Sequence, residues 1–217
     1  MKDLITIGLP SKGRLKEKSI SFFNDRGLKI IQSEKERNYF GTIENKPNVK
    51  IIFLHAKEII QRLGDGTLDI GVSGLDLLKE SDKNLQGKIN IQKKLDYGNA
   101  NLVIAVPDDW IDVQTIADLE EISFDIRFKR NTRLRVATKY PNLTNDFLIS
   151  KGVTQYKLIP SLGATETYPF IGSSEIITDI TSTGKTLADN NLRVLKDGLI
   201  LSSRACLFIA KKKAAKL

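Results

Sequence analysis

The chain has 217 residues, and its 34 lysines and arginines against 26 aspartates and glutamates give a formal net charge of +8. With 41% hydrophobic and 28% charged residues, the composition is typical of a soluble folded protein. A single cysteine and a single histidine exclude an internal disulfide framework and a Cys/His zinc cluster, and they favour a reducing compartment.

The length allows one large domain or two small ones. The segment from Met1 to Gly8 lacks the apolar stretch and the small-residue cleavage site of a signal peptide. No run approaches the roughly 18 apolar residues that a membrane-spanning helix needs. We therefore expect a cytoplasmic protein without a membrane segment.

In chain order, β-rich runs alternate with helical patterns, which predicts an α/β fold. The predicted strands lie at 4–7, 49–54, 69–73, 102–106, 134–138, 156–159 and 175–180. Apolar residues at helical spacing predict one helix before Gly27 and another before Gly64, since glycine often follows a helix end. A third helix is predicted between Pro141, which suits a first helical turn, and Gly152.

Two later segments predict departures from strand–helix alternation. Lys196-Asp197-Gly198 lies between two apolar runs, which predicts a β-hairpin and therefore a mixed sheet. Apolar periodicity lapses between Asp118 and Asn131, so this stretch is the predicted linker or surface insertion. Trp110 is expected to pack in a core, and Cys206, within an apolar run, is expected to be a buried thiol.

Positive charge is concentrated at both chain ends and in the stretch 127–139, which holds six cations and no acid. The terminal run Lys211 to Lys213 could contact nucleic acid, although a solvated chain end is the favoured interpretation. In 126–129 and 133–136, charged and apolar residues alternate with period two. The basic stretch is therefore either an anion-facing surface or the exposed face of strands.

The segment 174–187 predicts a strand, a tight polar loop and a helix start. Free backbone N–H groups and hydroxyls in such a loop can hold one phosphate. A Walker loop is excluded, because the position five residues before Gly184 holds Asp179 rather than glycine. A carboxylate at the strand end and a phosphate loop behind it suit a phosphoribosyl group, while an ordinary Ser/Thr-rich helix start remains the alternative.

A second candidate anion site follows the first predicted strand, where Lys12 and Arg14 flank Gly13 at a helix start. Their charges suit a diphosphate, which an arginine can bind with two parallel hydrogen bonds. A solvated turn is the alternative interpretation.

Together these segments resemble the catalytic subunit of ATP phosphoribosyltransferase, the enzyme family that begins histidine biosynthesis. The resemblance spans nearly the whole chain, and its most specific part covers Gly163 to Glu166, Gly172 to Ser174, Ile177, Asp179-Ile180 and Thr183 to Leu187. Supporting segments are Lys12 to Leu15, Asp69 to Asp76, Arg135 to Pro141 and Ser203 to Ala205.

The resemblance implies two α/β lobes with mixed sheets, similar to type II periplasmic binding proteins, with the active site in the cleft between the lobes. It places lobe I at 1–92 plus 182–217 and lobe II at 93–181. The implied reaction joins N1 of the ATP adenine to C1 of 5-phosphoribosyl 1-diphosphate, inverts that carbon and releases diphosphate. Mg²⁺ is expected to be carried on the substrate diphosphate, so no protein metal site is expected.

The resemblance also implies roles for individual residues. Asp179, with help from Glu166, is expected to bind the ribose hydroxyls, and Lys12 and Arg14 are the expected catalytic cations at the diphosphate. The expected ligands of the 5-phosphate are Thr181, Ser182, Thr183, Gly184, Lys185 and Thr186. Three further candidates for ATP or diphosphate contacts, with simple turn chemistry as the alternative, are Ser73, Gly74 and Asp76.

Long members of the family carry a C-terminal regulatory domain, for which residues 211–217 leave no room. The resemblance then implies the short form, a homo-oligomer that works with a regulatory subunit similar to histidyl-tRNA synthetase; a truncated long form would look the same. Two segments depart from the family pattern, Asn99-Ala100-Asn101 and His55-Ala56-Lys57. The second lacks an arginine, so the affinity for ATP is expected to differ.

Two other classes of protein remain alternatives. A two-lobed binding module could close on a small anion without chemistry, and it would need no site for a leaving diphosphate. A nucleic-acid-binding protein could use the basic ends and the 127–139 stretch, but no interleaved aromatic platform or known module supports it. We therefore expect no specific nucleic-acid partner.

Overall fold

The computed structural model describes residues 4–32 and 39–211. The chain divides into two compact units, one of Met1–Asn99 with Arg204–Leu217 and one of Ala100–Ser203. Among the described residues no helix is both long and apolar enough to cross a membrane.

The strands of the described residues are β1 (Ile5–Pro10), β2 (Ile30–Gln32), β3 (Phe40–Ile43), β4 (Lys46–Leu54), β5 (Ile70–Gly74), β6 (Ile89–Lys94), β7 (Ala100–Pro107), β8 (Leu134–Thr138), β9 (Tyr156–Pro160), β10 (Ile176–Thr181), β11 (Leu192–Ser203) and β12 (Ala205–Ala210). The helices are α1 (Gly13–Asn24), α2 (Ala56–Gly64), α3 (Leu75–Glu80), α4 (Lys83–Gly87), α5 (Ile116–Arg130), α6 (Pro141–Ser150) and α7 (Lys185–Asp189), with a 3₁₀ turn at Thr165–Thr167.

The first unit contains a mixed sheet with the strand order β2-β3-β4-β1-β5-β12-β6. Strands β4 and β5 both pair with β1 in parallel, so the carboxyl ends of all three lie at one edge. Helix α1 covers one face through Phe23, which packs with Phe53. Helix α2 covers the other face through Ile59 and Leu63. A side chain on Gly71 would collide with these two residues, so glycine permits the close packing of α2 on β5.

The second unit contains a mixed sheet with the strand order β11-β7-β10-β8-β9. Strands β10, β8 and β9 run parallel, while β7 is antiparallel to both of its neighbours. Leu119 of α5 and Leu148 of α6 are fully buried with Val136 and Ile176 in the main core of this unit. The parallel strands again bring three carboxyl ends to one edge of the sheet.

The chain crosses between the two units at different points from those expected. The expected division was 1–92 plus 182–217 against 93–181. Residues 93–99 remain in the first unit because β6 pairs with β12. Residues 182–203 remain in the second unit because β11 pairs with β7 along most of its length.

The predicted strands are confirmed as β1, β4, β5, β7, β8, β9 and β10, and the three predicted helices as α1, α2 and α6. Cys206 is a buried thiol, as expected. Trp110 packs against the main core of the second unit. Of the predicted basic tail only Lys211 is described, as an exposed residue; Lys212 and Lys213 lie outside the described residues.

The predicted hairpin at Lys196-Asp197-Gly198 is wrong. This segment is a bulge within the single strand β11, whose pairing with β7 shifts between Val194 and Leu199. The bulge turns the Asp197 carboxylate toward α5, where Oδ1 accepts the N–H of Ile116 at 2.8 Å. An Asp-Gly pair between apolar runs therefore caps a helix here instead of reversing the chain.

The predicted linker between Asp118 and Asn131 is also wrong, because these residues belong to helix α5 and its end. Thr115 and Asp118 form a capping box, a helix-start signal that the sequence contains. The interpretation of 126–129 as a strand face fails for the same reason. Arg127 and Arg130 lie in the last turn of α5, where cations interact favourably with the helix dipole.

Candidate functional site

Polar residues follow the carboxyl ends of the three parallel strands of the second unit. Lys139 follows β8, Ser161 follows β9, and the polar loop 182–184 follows β10. Ligands of open α/β sheets bind outside the carboxyl ends of the strands. This edge of the second unit is therefore the candidate site for the phosphoribosyl group.

The loop after β10 has the form of an anion cradle. Gly184 has φ +75°, a left-handed conformation that side chains other than glycine's rarely adopt, and it starts α7. The N–H of Gly184 donates to Thr181 Oγ1 at 2.8 Å, and the N–H of Lys185 donates to Thr183 Oγ1 at 3.3 Å. Within residues 4–32 and 39–211, the amides of Ser182 and Thr183 donate to no acceptor. Two amides are thus free, and two are held by hydroxyls of the same loop.

All six residues of the predicted phosphate loop lie at the surface or are partly exposed. Ser182, Thr183, Lys185 and Thr186 are exposed, while Thr181 and Gly184 are intermediate. Because the hydroxyl oxygens already face the loop amides, the backbone is shaped before any anion arrives. Pre-shaped donors of this kind avoid a reorganisation cost on binding.

Asp179 precedes the loop on β10 and is half-buried. Burial raises the pKa of its carboxyl above the ordinary value, and the N–H of Ile180, which donates to Oδ1 at 2.8 Å, opposes that shift. The charge of Lys139 also lowers this pKa, and the charge of Glu166 raises it. Asp179, Glu166 and Lys139 are therefore electrostatic neighbours at one sheet edge, as a site for an anionic sugar requires.

Lys139 was not among the predicted site residues, because an exposed lysine beside Tyr140 is ordinarily a surface residue. The signal in the sequence was its position directly after a predicted strand, the same position that the phosphate loop has after β10. Its charge acts on Asp179. The sequence alone did not indicate that β8 and β10 are neighbours with carboxyl ends at the same edge.

Glu166 is held at the site by the segment between β9 and β10. At its start, the buried hydroxyls of Ser161 and Thr165 lie 2.8 Å apart in a hydrogen bond. At its end, Arg135 forms a fork with Glu175, with Nη2 to Oε1 at 2.7 Å, and Nη1 donates to the carbonyl of Gly172 at 2.8 Å. Arg135, which sequence patterning placed on an exposed strand face, instead anchors this segment.

In the first unit, the turn between β1 and α1 carries the predicted diphosphate cations. Lys12 precedes the helix in extended conformation, and its side chain makes no capping hydrogen bond. Lys12 and Arg14 are exposed, and neither side chain forms a hydrogen bond or ion pair with another residue of the described chain. Two free cations thus flank Gly13, which has φ +66°.

The three remaining candidates form the turn between β5 and α3. Ser73 is fully buried, and its hydroxyl donates to the carbonyl of Ala56 at 2.7 Å, so its side chain has a structural role. Asp76 is also buried, and a side chain on Gly74 would collide with its Oδ1. These contacts fit the alternative of turn chemistry, and contacts of Ser73, Gly74 and Asp76 with ATP or diphosphate stay a prediction.

His55 follows β4 as the residue that caps α2, where its Nδ1 accepts the N–H of Lys57 at 3.3 Å. Lys57, the cation of this segment, lies in the first turn of α2. Among the described residues, no group of three or more His, Cys, Asp or Glu side chains is placed to hold a metal ion.

Known proteins are similar to this chain over most of its length. The family model for HisG, ATP phosphoribosyltransferase, matches residues 55–217. An ATP phosphoribosyltransferase of Brucella melitensis is 45% identical over 209 residues, which cover 96% of this chain and 90% of the relative.

Two solved structures are similar in fold. A chain of the ATP phosphoribosyl transferase (HisG:HisZ) complex from Thermotoga maritima superimposes with a TM-score of 0.74 at 25% identity, covering 98% of this chain and 90% of the other. The substrate binding protein of an amino acid ABC transporter gives a TM-score of 0.55 at 13% identity, covering 98% and 87%. The second likeness shows a fold of the type II periplasmic-binding-protein kind. By its sequence and its fold, this chain belongs to the ATP phosphoribosyltransferase family, whose reaction is the first step of histidine biosynthesis.

Proposed function

We propose that this chain transfers the 5-phosphoribosyl group of phosphoribosyl diphosphate to N1 of the ATP adenine, with residues 179–186 as the phosphoribosyl site. The observation that carries the proposal is the loop after β10, with free amides at Ser182 and Thr183 and the Asp179 carboxylate at the same sheet edge. A carboxylate beside an amide cradle matches a ribose diol beside a phosphate in one ligand.

When the 5-phosphate of the substrate binds, donors of the loop form hydrogen bonds with its oxygens. The amides of Ser182 and Thr183 donate to phosphate oxygens, and the hydroxyls of Thr181 and Thr183 rotate to do the same. Without substrate, the N–H groups of Gly184 and Lys185 donate to these two hydroxyl oxygens. With substrate, they also face the phosphate. Asp179 and Glu166 accept hydrogen bonds from the ribose hydroxyls, and these bonds fix the position of C1.

Lys12 and Arg14 are the proposed electrostatic catalysts. As the bond from C1 to the diphosphate lengthens, positive charge develops on the ribose ring and negative charge on the leaving diphosphate. Free cations whose charge no neighbour neutralises stabilise that negative charge most strongly in the transition state. Bidentate binding by Arg14 would also hold the leaving group in line with C1.

Mg²⁺ is proposed to travel on the substrate diphosphate. The described residues offer no carboxylate or imidazole cluster of the kind that holds a resident metal ion. Mg²⁺ keeps water and phosphate oxygens as its preferred ligands, and it would neutralise charge on the departing group.

The assembly proposed for this chain is a homo-oligomer in the cytoplasm, which also binds a regulatory subunit similar to histidyl-tRNA synthetase. The structure of a HisG:HisZ complex from Thermotoga maritima, to which this chain is similar over 98% of its length, supports a partner subunit. Such a partner distinguishes the short form of the family.

The proposal is tested by following phosphoribosyl-ATP formation by absorbance with ATP, phosphoribosyl diphosphate and Mg²⁺, with and without a candidate regulatory subunit. We expect product, and we expect chelation of Mg²⁺ to stop the reaction. Asp179→Asn should abolish most of the activity, while Asp189→Asn, an exposed acid at the end of α7, serves as the matched control. Binding of phosphoribosyl diphosphate without any product, even with the partner, would identify a binding module instead.

A further inference from the structure

The outer face of helix α5 presents an exposed stripe with two phenylalanines, Phe124 and Phe128, which lie outside the hydrophobic core of their unit. Residues Ala117, Glu121, Phe124 and Phe128 are exposed, at spacings of four, three and four residues. Phe128 is 91% exposed and Phe124 49% exposed. The buried residues Ile116, Leu119 and Ser123 lie on the opposite side of the helix, so the stripe points directly outward. Exposed aromatic pairs of this kind mark interaction surfaces.

Charges along the same helix are segregated. Residues 108–121 contain six acids and no lysine or arginine, whereas 127–133 contains four cations and no acid. Glu120 and Arg127 lie two turns apart on the same flank of the stripe, because seven residues return a helix to nearly the same angle. Neither side chain forms an ion pair with another described residue. The helix thus has an acidic half, a basic half and an exposed stripe with two phenylalanines that runs along both halves.

We propose that α5 is the docking surface for α5 of a second copy of this chain, with the two helices antiparallel about a two-fold axis near residue 122. In that arrangement the small Ala117 of one copy faces the large Phe128 of the other, and Phe124 packs on the aliphatic stem of Glu121. A two-fold contact requires a surface that is complementary to itself. The alternation of small and large residues along this stripe meets that requirement.

The charges select the antiparallel orientation. Glu120 of one copy lies beside Arg127 of the other, and the symmetry creates this pair twice. A parallel pair would instead place acidic half on acidic half and basic half on basic half, which is unfavourable. An acidic ligand or a nucleic acid would use only the basic half and would leave the Ala117 position and the acidic half without a role. Both complementary halves occur on one helix, and this favours a second copy.

The expected association is weak. A helix of 15 residues is about 22 Å long, and a contact along one such helix is smaller than the roughly 800 Å² per partner of a standard interface. Ile111, which is 74% exposed, adds an exposed apolar side chain a few residues before the start of α5. We expect dissociation in the micromolar range, so the mass must be measured over a range of concentration.

Sedimentation of the full chain without substrates, from about 1 to 200 μM, tests the interface separately from the proposed transfer reaction. We expect the mass of the wild-type oligomer to rise with concentration. Phe128→Glu should weaken the association at least about 30-fold, as a buried aromatic anchor would. Ile149→Glu, an exposed apolar position on α6 of the same unit, is the matched control and should leave the mass unchanged.

Charge reversal tests the orientation. Glu120→Lys and Arg127→Glu should each weaken association, because each places like charges opposite one another, and the double variant should regain it. Circular dichroism checks that each variant is folded. A wild-type chain whose mass does not rise with concentration, a Phe128→Glu variant equal to Ile149→Glu, or a double variant no better than the single variants would overturn the proposal.

Discussion

The two strand-to-helix turns proposed as phosphate sites differ in the groups that they offer. The turn after β10 in the second unit offers backbone amides and hydroxyls, and its hydroxyls already hold the amides of Gly184 and Lys185. The turn after β1 in the first unit offers two exposed cations, Lys12 and Arg14, with no capping bond. The turn after β10 therefore has a backbone held in shape by its own hydroxyls, whereas the turn after β1 carries two cations without ion-pair partners.

We propose that the difference corresponds to the 5-phosphate and the diphosphate of phosphoribosyl diphosphate. The 5-phosphate does not change during the transfer, so a fixed cradle binds it equally in ground state and transition state. The diphosphate gains charge as its bond breaks, so cations without an ion-pair partner stabilise it most at that moment. The shaped turn should therefore govern binding of phosphoribosyl diphosphate, and the charged turn should govern the rate.

The largest effect is expected for Asp179→Asn, which removes the charge beside the shaped turn. Hydrogen bonds to charged groups are worth about 1.5–3 kcal/mol, so kcat/KM for phosphoribosyl diphosphate should fall roughly 10- to 100-fold. The KM for ATP should change little. Steady-state kinetics with each substrate varied in turn measure both values, and unchanged turnover would remove Asp179 from the site.

Although Asp179→Asn should lower activity, it should raise the stability of the fold, by an amount that depends on pH. Burial raises the pKa of the Asp179 carboxyl, so its ionisation opposes folding, and the cost grows as the pH rises through the raised value. Below the unfolded pKa of about 3.9 the cost is absent. Asp179→Asn should therefore raise the melting temperature at pH 7 and give a smaller gain near pH 4. A gain that is independent of pH would contradict this account.

Arg14→Ala should slow the reaction by roughly 10- to 100-fold in kcat, since it removes a cation from the leaving diphosphate. Because the charged turn is assigned to the transition state, the KM for ATP should rise much less. Single-turnover measurements separate this loss from slow product release. Arg14→Lys should recover part of the rate, as lysine keeps the charge and loses the fork. Equal losses in binding and rate would indicate a structural role.

Thr181→Val removes the hydroxyl that accepts the N–H of Gly184 and so loosens the shaped turn. We expect the KM for phosphoribosyl diphosphate to rise about tenfold, with kcat nearly unchanged. Thr154→Val, at an exposed threonine after α6, is the matched control. A fall in kcat without a change in KM would mean that the two turns do not divide their roles as proposed.

Ser73→Ala should have the smallest effect on activity. Its hydroxyl is buried and engaged with Ala56, so the substitution should cost about 1 kcal/mol of unfolding free energy and leave kcat/KM for both substrates within twofold. Urea denaturation and kinetics on the same sample measure the two effects. A clear loss of ATP affinity at normal stability would instead return Ser73 to the ligand contacts.

The sequence predicted the parallel core strands well, because their apolar runs are bounded by glycine and polar residues, and β8 has the predicted limits of 134–138. The prediction from sequence failed where a residue forms a hydrogen bond with an element that is distant in the chain. Asp197 and Gly198 have the composition of a tight turn, but Asp197 caps α5, about eighty positions earlier in the chain. The position of Asp197 depends on the pairing of β11 with β7, which no local sequence pattern indicates.

Helix α5 escaped prediction for a related reason. Only Ile116, Leu119 and Ser123 are buried, and the exposed Phe124 and Phe128 disturb the expected polar face. Apolar residues on both sides of a helix blur its period. The candidate residues of the loop motif could be proposed from the sequence because they follow one strand, β10, in chain order. The proximity of Lys139 depends instead on the pairing of β8 with β10.

The central claim, that residues 181–186 bind the 5-phosphate, is tested most directly by ¹H–¹⁵N spectra of the wild-type chain titrated with ribose 5-phosphate. The account predicts large downfield proton shifts for the amides of Ser182 and Thr183, with smaller shifts for Gly184 and Lys185, and no such shifts with ribose alone. Saturable shifts at Gly13 and Arg14, with the amides of 182–185 unmoved, would contradict it.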